Sequence, residues 1–203
     1  MKETDKQIFE KDAKDYLGVF NRYKIVLDHG EGAYVWDNNG KKYLDLLGGI
    51  AVNVLGHNYK PLIDAISEQA GKLIHVSNLY YTQPQADAAT KLVALSGLGK
   101  AFFCNSGAEA NEGAIKIARK YAHSISSDKS QIITAWDSFH GRTIATLTAT
   151  GQPKYHEGFG PLPDGFSYVH YNTYEELEKM VTDKTAAVML EPIQGEGGVH
   201  TPE

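Results

Sequence analysis

Phe102-Phe103-Cys104-Asn105-Ser106-Gly107-Ala108-Glu109-Ala110-Asn111-Glu112 is the stretch around which the rest of the chain is organised. It predicts a short buried strand over 100–104, a tight polar turn, and a helix opening at 107 and running to 123. Phe102, Phe103 and Cys104 supply the apolar run. Asn105 and Ser106 are residue types that cap helices by accepting from the first open N–H groups, and Glu109 places a carboxylate in the first turn. Ala110, Ala114, Ile117, Ala118 and Tyr121 recur at helical spacing and predict one packed face. Free N–H groups and the positive end of a helix dipole at a Ser-Gly turn can hold a phosphate. The same pattern fits an ordinary capped strand-to-helix turn, and the stretch alone is compatible with both.

Working outward, the segment after residue 100 alternates strands and helices. Gln131 to Ala135 reads as a strand, 143–150 as a short helix, Phe166 to His170 as a strand, Tyr174 to Val181 as a helix, and Ala186 to Leu190 as another buried strand. Gly151 to Gly165 is a glycine- and proline-bearing loop. This alternation predicts an α/β domain with a mostly parallel sheet and covered faces. Before residue 100 the pattern differs. A charged N-terminal helix lies within 1–19. Ala33–Trp36 and Lys42–Leu46 flank Asp37-Asn38-Asn39-Gly40 and read as a hairpin. Gly48–His57 is apolar, glycine-bearing and irregular, and His57 within it reads as a structural histidine. Helices follow over Pro61–Ile74 and Gln83–Leu95. The expected division is a small N-terminal α+β part, residues 1–60, and a larger α/β part, residues 61–203.

The bulk numbers narrow the function. A net charge of −5 with scattered basic residues offers no footprint for nucleic acid or an anionic membrane surface. The one cysteine, Cys104, cannot form an intrachain disulfide and reads as a small core residue. The charged start of the chain does not resemble a signal peptide, and no apolar run approaches the ~20 residues of a spanning helix, so the expected location is the cytoplasm.

Three loops lie directly after predicted strands: Asn105-Ser106-Gly107-Ala108, Ser138-Phe139-His140-Gly141-Arg142-Thr143 and Glu191-Pro192-Ile193-Gln194-Gly195-Glu196-Gly197-Gly198. Ligands of open parallel sheets bind outside the carboxyl ends of the strands. The loops offer anion-binding N–H groups, then an aromatic face with an imidazole and a guanidinium, then two carboxylates. That set suits a ligand with a phosphate, a flat ring and a carboxylate. Taken singly, Arg142 could pair with a surface acid, Phe139 could be core, and both glutamates could be solvated. No P-loop, dinucleotide fingerprint, nucleophile elbow or metal-ligand spacing is present, which disfavours a nucleotide-binding module and predicts no metal.

As an ordered set, these loops resemble class III aminotransferases, fold-type-I enzymes that use pyridoxal 5′-phosphate. Further matching stretches are Gly30-Glu31-Gly32-Ala33-Tyr34-Val35-Trp36-Asp37, Gly49-Ile50-Ala51-Val52-Asn53, Leu55-Gly56-His57 and Ser77-Asn78-Leu79-Tyr80-Tyr81-Thr82-Gln83-Pro84. The resemblance runs from about residue 20 to the end. It implies a three-layer α/β sandwich, here its first portion. Ser106, Gly107 and Ala108 would hold the cofactor phosphate, Phe139 would stack on the pyridine ring beside His140, and Glu191 would lie near the cofactor edge. Arg142 would bind a substrate carboxylate, and Glu196 would act as a switch between substrates. Ile50 would shape the side-chain pocket. Phe20 stands where the family often has a substrate-contacting tyrosine. The implied reaction moves the amino group of N-acetylornithine, or a similar ω-amino donor, to 2-oxoglutarate in arginine biosynthesis. Ornithine, succinylornithine and 4-aminobutyrate are the neighbouring donors. The family implies a homodimer with the Ser77–Gln83 loop at its interface.

Tyr59 and Lys60 replace a common His-Pro, and Gly113 interrupts the main helix where alanine is usual. In the family the aspartate that pairs with the pyridine nitrogen and the lysine bonded to the cofactor come later, and neither motif occurs before Glu203. The expectation is that this polypeptide lacks its catalytic residues and does not transaminate alone. The rival expectation from another class is a non-catalytic fragment that binds phosphate ligands or a partner chain.

Overall fold

The computed structural model describes residues 3–203. The chain divides into two compact units, Met1–Tyr81 and Thr82–Glu203. In the first unit, helix α1 (Asp5–Asp15) starts at a reciprocal cap. The Thr4 hydroxyl accepts from the Gln7 N–H, and the Gln7 carboxamide oxygen accepts from the Thr4 N–H at 2.9 Å. Strands β1 (Leu27–Glu31), β2 (Tyr34–Asp37) and β3 (Lys42–Leu44) form an antiparallel sheet in that order. The β2–β3 turn falls on Asp37–Gly40 as the sequence predicts. Its buried Asp37 carboxylate accepts from the N–H groups of Lys41 and Asn39, both at 2.9 Å, and from the Tyr43 hydroxyl at 2.8 Å. The Lys41 N–H foremost holds this carboxyl below the usual range, and the Asp37 carboxylate in turn raises the Tyr43 hydroxyl.

The irregular Gly48–His57 region contains one tight turn, α2 (Gly48–Ala51). Inside it Gly49, Ile50 and Ala51 take φ values of 65°, 61° and 60°. A β-branched residue in left-handed backbone is costly, on the order of 1–3 kcal/mol, and persists only where surrounding contacts fix it. Helix α3 (Lys60–Lys72) follows, with Pro61 in its first turn.

The second unit opens with helix α4 (Gln83–Ser96), stopped by Gly97 at φ 71°. Helix α5 (Gly107–Ile125) is capped by Ser106, whose hydroxyl accepts from the Glu109 N–H at 3.2 Å. Next come β4 (Gln131–Ala135), α6 (Ile144–Ala149), β5 (Phe166–Val169), α7 (Tyr174–Met180) and β6 (Thr185–Val188). Among the described residues these strands form a parallel sheet in the order β5-β4-β6. The central strand carries the core. Ile132 packs with Ile115 of α5 and Ala149 of α6, with Phe166 and Met189 alongside. All of β4 from Ile132 to Ala135 is buried, as a parallel strand covered on both faces must be. The chain is therefore α/β, as the alternation predicts.

Two expectations are corrected. Residues 100–104 do not form a strand: they pair with no described strand, so Phe102 is 72% exposed and Cys104 is exposed rather than core. An apolar run signals a wish for burial, but only a ladder partner makes a strand. The packed face of α5 also differs. The helix turns Ile115 and Ala122 inward, while Ile117 and Tyr121 stand 65% and 68% exposed. α5 is apolar on two sides, and periodicity alone selects the richer side rather than the one that meets the sheet.

Two glycines in this unit respond oppositely to a methyl group. A Cβ on Gly151 would lie 2.1 Å from the Ala135 carbonyl oxygen, whereas one on Gly113 would make ordinary contact with Phe102 at 3.6 Å. Gly151→Ala is expected to destabilise the unit by about 1–3 kcal/mol through backbone displacement. Gly113→Ala is expected to stabilise it by about 0.5–1 kcal/mol through helix propensity. Urea unfolding of the two variants checks both signs, and an unshifted midpoint for Gly151→Ala contradicts the close approach.

Candidate active site

Parallel pairing puts the carboxyl ends of β4 and β6 on one edge of the sheet, and the loop that leaves β4 meets both the start of α5 and the loop after β6. The register is fixed by Ile133 opposite Val188 and by Met189 N–H donating to the Ile133 carbonyl at 2.8 Å. After β4 the backbone turns sharply at Asp137, φ 61°, and Ser138 is fully buried with its hydroxyl accepting from the Gly151 N–H at 3.0 Å. The Gln152 carboxamide donates to the Ser138 carbonyl at 3.0 Å. These bonds make the 138–142 loop a fixed structure.

Three contacts join the predicted loops. Asn111, one turn into α5, donates from Nδ2 to the His140 carbonyl at 2.7 Å. Gly141, at φ 135°, lies against Ala108 so closely that a Cβ there would come within 2.9 Å of the Ala108 Cβ. The Phe139 N–H donates to Glu191 Oε2 at 3.1 Å. A fourth contact, the hydrogen bond from the Thr143 hydroxyl to the Glu112 carboxylate, ties the end of the loop to α5. Ser106, Gly107, Ala108, Phe139, His140, Arg142 and Glu191 are therefore brought together within the second unit. Glu196 is exposed on the same loop as Glu191. That loop is anchored by the buried Gln194, which donates from Nε2 to the Trp136 carbonyl at 2.9 Å. Phe20 and Ile50 belong to the first unit, where both are exposed.

The electrostatics follow from burial. The N–H groups of Gly107 and Ala108 have no partner among the described residues, and the space where a Gly107 side chain would stand is open. Two unsatisfied donors at a helix N-terminus make an anion cradle. The Glu109 carboxylate closes the neighbouring donor by accepting from the Asn105 N–H at 2.8 Å. His140 is 4% exposed and its Nε2 is buried without a partner; burial lowers its pKa to about 4. Burial likewise pushes the Glu191 carboxyl up, with Glu196 adding to the rise and the N–H groups of Phe139 and Gly195 opposing it. Arg142 is exposed and has no carboxylate partner among the described residues; its guanidinium lies 5.9 Å from the Phe139 ring centroid and 5.3 Å from that of Tyr155. Among the described residues no surface ion pair explains Arg142.

This arrangement fits a flat phosphorylated ligand: open amide donors for a phosphate, a half-exposed aromatic ring, an orphaned imidazole nitrogen and an unpaired guanidinium. Among the described residues no group of acidic, histidine or cysteine side chains could hold a metal ion. Sequence reading missed Asn111, Tyr155 and Gln194. Asn111 carried a signal, since it sits one helical turn beyond Gly107, but the other two come near the site only through the long 151–165 loop and the 194–200 turn.

Residues 19–203 match the family model "Aminotransferase class-III". The chain belongs to the class-III aminotransferase family. An acetylornithine aminotransferase from Methanocaldococcus jannaschii is 55% identical over 191 residues, which cover 94% of this chain and 48% of that protein. The solved ornithine aminotransferase of Toxoplasma gondii superposes with a TM-score of 0.94 at 32% identity, over 100% of this chain and 49% of its own. A second structure of that organism's ornithine aminotransferase, TM-score 0.92 at 32% identity over 98% and 48% of the chains, has pyridoxal phosphate partly occupying its active site. The chain spans about half the length of the curated relatives it matches.

The buried His140 gives the site a pH signature. Its pKa is about 4 in the fold against 6.5 when unfolded, so below 6.5 the unfolded chain binds a proton that the native chain refuses. Stability is therefore full above 6.5 and is lost as pH falls toward 4, by on the order of 3 kcal/mol from this group. A His140→Gln variant cannot titrate and is expected to lose less stability than wild type over that interval. Parallel urea titrations at neutral and acid pH measure the difference, and equal losses contradict a buried neutral imidazole.

Proposed function

We propose that the site is the phosphate- and ring-binding half of a pyridoxal-phosphate aminotransferase centre. The observation that carries this reading is the convergence of the open Gly107 and Ala108 N–H groups, the Phe139 ring and the unpaired Arg142 through the contacts made by Asn111, Gly141 and Glu191. Ser106, Gly107 and Ala108 hold the cofactor phosphate. Phe139 covers one face of the pyridine ring, and the neutral His140 lies beside it. Glu191 sits at the cofactor edge, its carboxylate bonded to the Phe139 N–H. When bound, the cofactor supplies an electron sink for reactions at an amino-bearing carbon. The chain's own contribution is to hold that ring and to orient substrate.

In this reading Arg142 grips a substrate carboxylate, for which its planar fork is suited. Glu196, exposed and close enough to raise Glu191, is the mobile carboxylate that changes partner between donor and acceptor. Ile50 and Phe20 shape the pocket for the donor's side chain. The donor we infer is N-acetylornithine, with 2-oxoglutarate as acceptor, because curated acetylornithine aminotransferases are 52–56% identical over 94–97% of this chain. Ornithine, succinylornithine and 4-aminobutyrate are the competing donors. The setting we infer is a cytoplasmic homodimer, with the exposed Leu79, Tyr80 and Tyr81 available for its interface.

Arg142 tests the reading. Losing hydrogen bonds to a charged group costs about 1.5–3 kcal/mol, so Arg142→Ala in the complete aminotransferase is expected to lower kcat/KM for both N-acetylornithine and 2-oxoglutarate by about 10–100-fold. Arg142→Lys keeps the charge without the fork and is expected to recover only part. Unchanged steady-state kinetics for both substrates would remove Arg142 from this role.

A further inference from the structure

The first unit holds a polar cluster that the proposed chemistry does not use. The Asp45 carboxylate, just after β3, is the hub for the turn that carries Ile50. Its Oδ1 accepts from the Leu47 and Gly48 N–H groups at 3.1 and 2.9 Å, and its Oδ2 accepts from His57 Nε2 at 2.7 Å. The other ring nitrogen of His57, Nδ1, accepts from Asn53 Nδ2 at 3.1 Å. A neutral imidazole with its proton on Nε2 satisfies all of these bonds at once. The His57 backbone is fixed as well: it exchanges two hydrogen bonds with Gly32, at 2.8 and 2.9 Å. Its ring lies where a Gly30 side chain would stand, since a Cβ there would be 2.5 Å from His57 Cγ.

Between Asp45 and Asn53 lies the backbone that most needs fixing. Gly48, Gly49, Ile50 and Ala51 are four successive residues with positive φ, two of them not glycine. The turn's own bonds run from Ala51 N–H to Leu47 and from Val52 and Asn53 N–H to Gly48, and the next backbone bonds, from Val54 N–H to Val52 and from Gly56 N–H to Asn53, lie beyond the left-handed residues. Ile50 itself is 72% exposed, so its side-chain packing does not hold the strained conformation. Asp45 grips one end of the turn through its amides, Asn53 closes the other, and His57 joins the two.

We infer that His57 is a positioning residue: the Asp45–His57–Asn53 hydrogen bonds hold the left-handed turn over 48–51 and so set where Ile50 is presented to the donor's side chain. The turn's strain makes this hold necessary, and the link to donor choice rests on the reading of Ile50 as a pocket residue. His57→Phe keeps the ring's bulk and deletes both side-chain bonds. His57→Gln keeps one donor and one acceptor and so replaces them.

Two measurements separate the clamp from its use. In the 203-residue chain, amide hydrogen exchange at Leu47, Gly48 and Asn53 is expected to speed up about tenfold in His57→Phe, to stay near wild type in His57→Gln, and to leave the β4 amides unchanged. Unchanged exchange at Leu47 and Gly48 in His57→Phe overturns the clamp. If that variant unfolds its unit, Asn53→Ala reads the same network with the ring in place, and unaltered exchange at Gly48 there overturns it equally. In the complete, cofactor-loaded aminotransferase, His57→Phe is expected to change the kcat/KM ratio of N-acetylornithine to ornithine at least about threefold, with His57→Gln restoring it. Faster exchange with an unchanged ratio overturns the assignment of Ile50 to the donor pocket and leaves the clamp standing.

Discussion

The hydrogen bond from the Asn111 carboxamide to the His140 carbonyl is the contact on which the second unit's site depends. It is possible only because Gly141 has no side chain, so the loop after β4 can come down onto Ala108 at the start of α5. A loop held that close to a helix N-terminus gives the open N–H groups of Gly107 and Ala108 a wall. That loop carries Phe139 and His140 and, through the Phe139 N–H, holds the Glu191 carboxylate. The burial of His140 and the rise in Glu191 follow from the same packing. Remove the close approach and the three loops become separate surface features.

The part of this that could be read from the sequence was the part encoded locally. The Ser106 cap, the Asp37–Gly40 turn, and β4 and β5 all follow from residue types within a few positions of one another. What could not be read depended on a partner distant in sequence. Phe102 and Cys104 look like strand residues until one asks which strand they pair with. The inward side of α5 is chosen by Ile132 and Ala149, not by the helix's own periodicity. Tyr155 and Gln194 reach the site only because long loops fold back, and no spacing rule connects them to Phe139 or Trp136.

His57 shows the same limit from the other direction. As a residue type in an apolar glycine-bearing loop it reads as a structural histidine, and in the structure it is one. Yet its partners give that role content. Asp45 is twelve residues away and is held below the usual carboxylate range chiefly by the His57 bond and then by the Gly48 N–H. The two units thus use one device in different forms. In each, a side chain with several hydrogen-bonding atoms fixes a backbone segment that its own residues would not keep, Asp45 for the left-handed turn and Asn111 for the loop against α5.

Charge around the second unit's site points to the kind of ligand that completes it. Glu109, Glu112, Glu191 and Glu196 are near the converging loops, with Arg142 the cation on the loops themselves and Lys154 beside it at the Tyr155 ring. Glu109 and Glu112 are already engaged, by the Asn105 amides and the Thr143 hydroxyl. That leaves Glu191, pushed up by burial with the Glu196 charge adding to it, as the group with most to gain from a nearby positive charge. A ligand bearing only phosphate and carboxylate would satisfy the helix N-terminus and Arg142 but would worsen the repulsion at Glu191. One that also carries a protonated ring nitrogen or an ammonium group relieves it. In the proposed function, the pairing of a phosphorylated pyridine with an amino donor supplies both signs of charge.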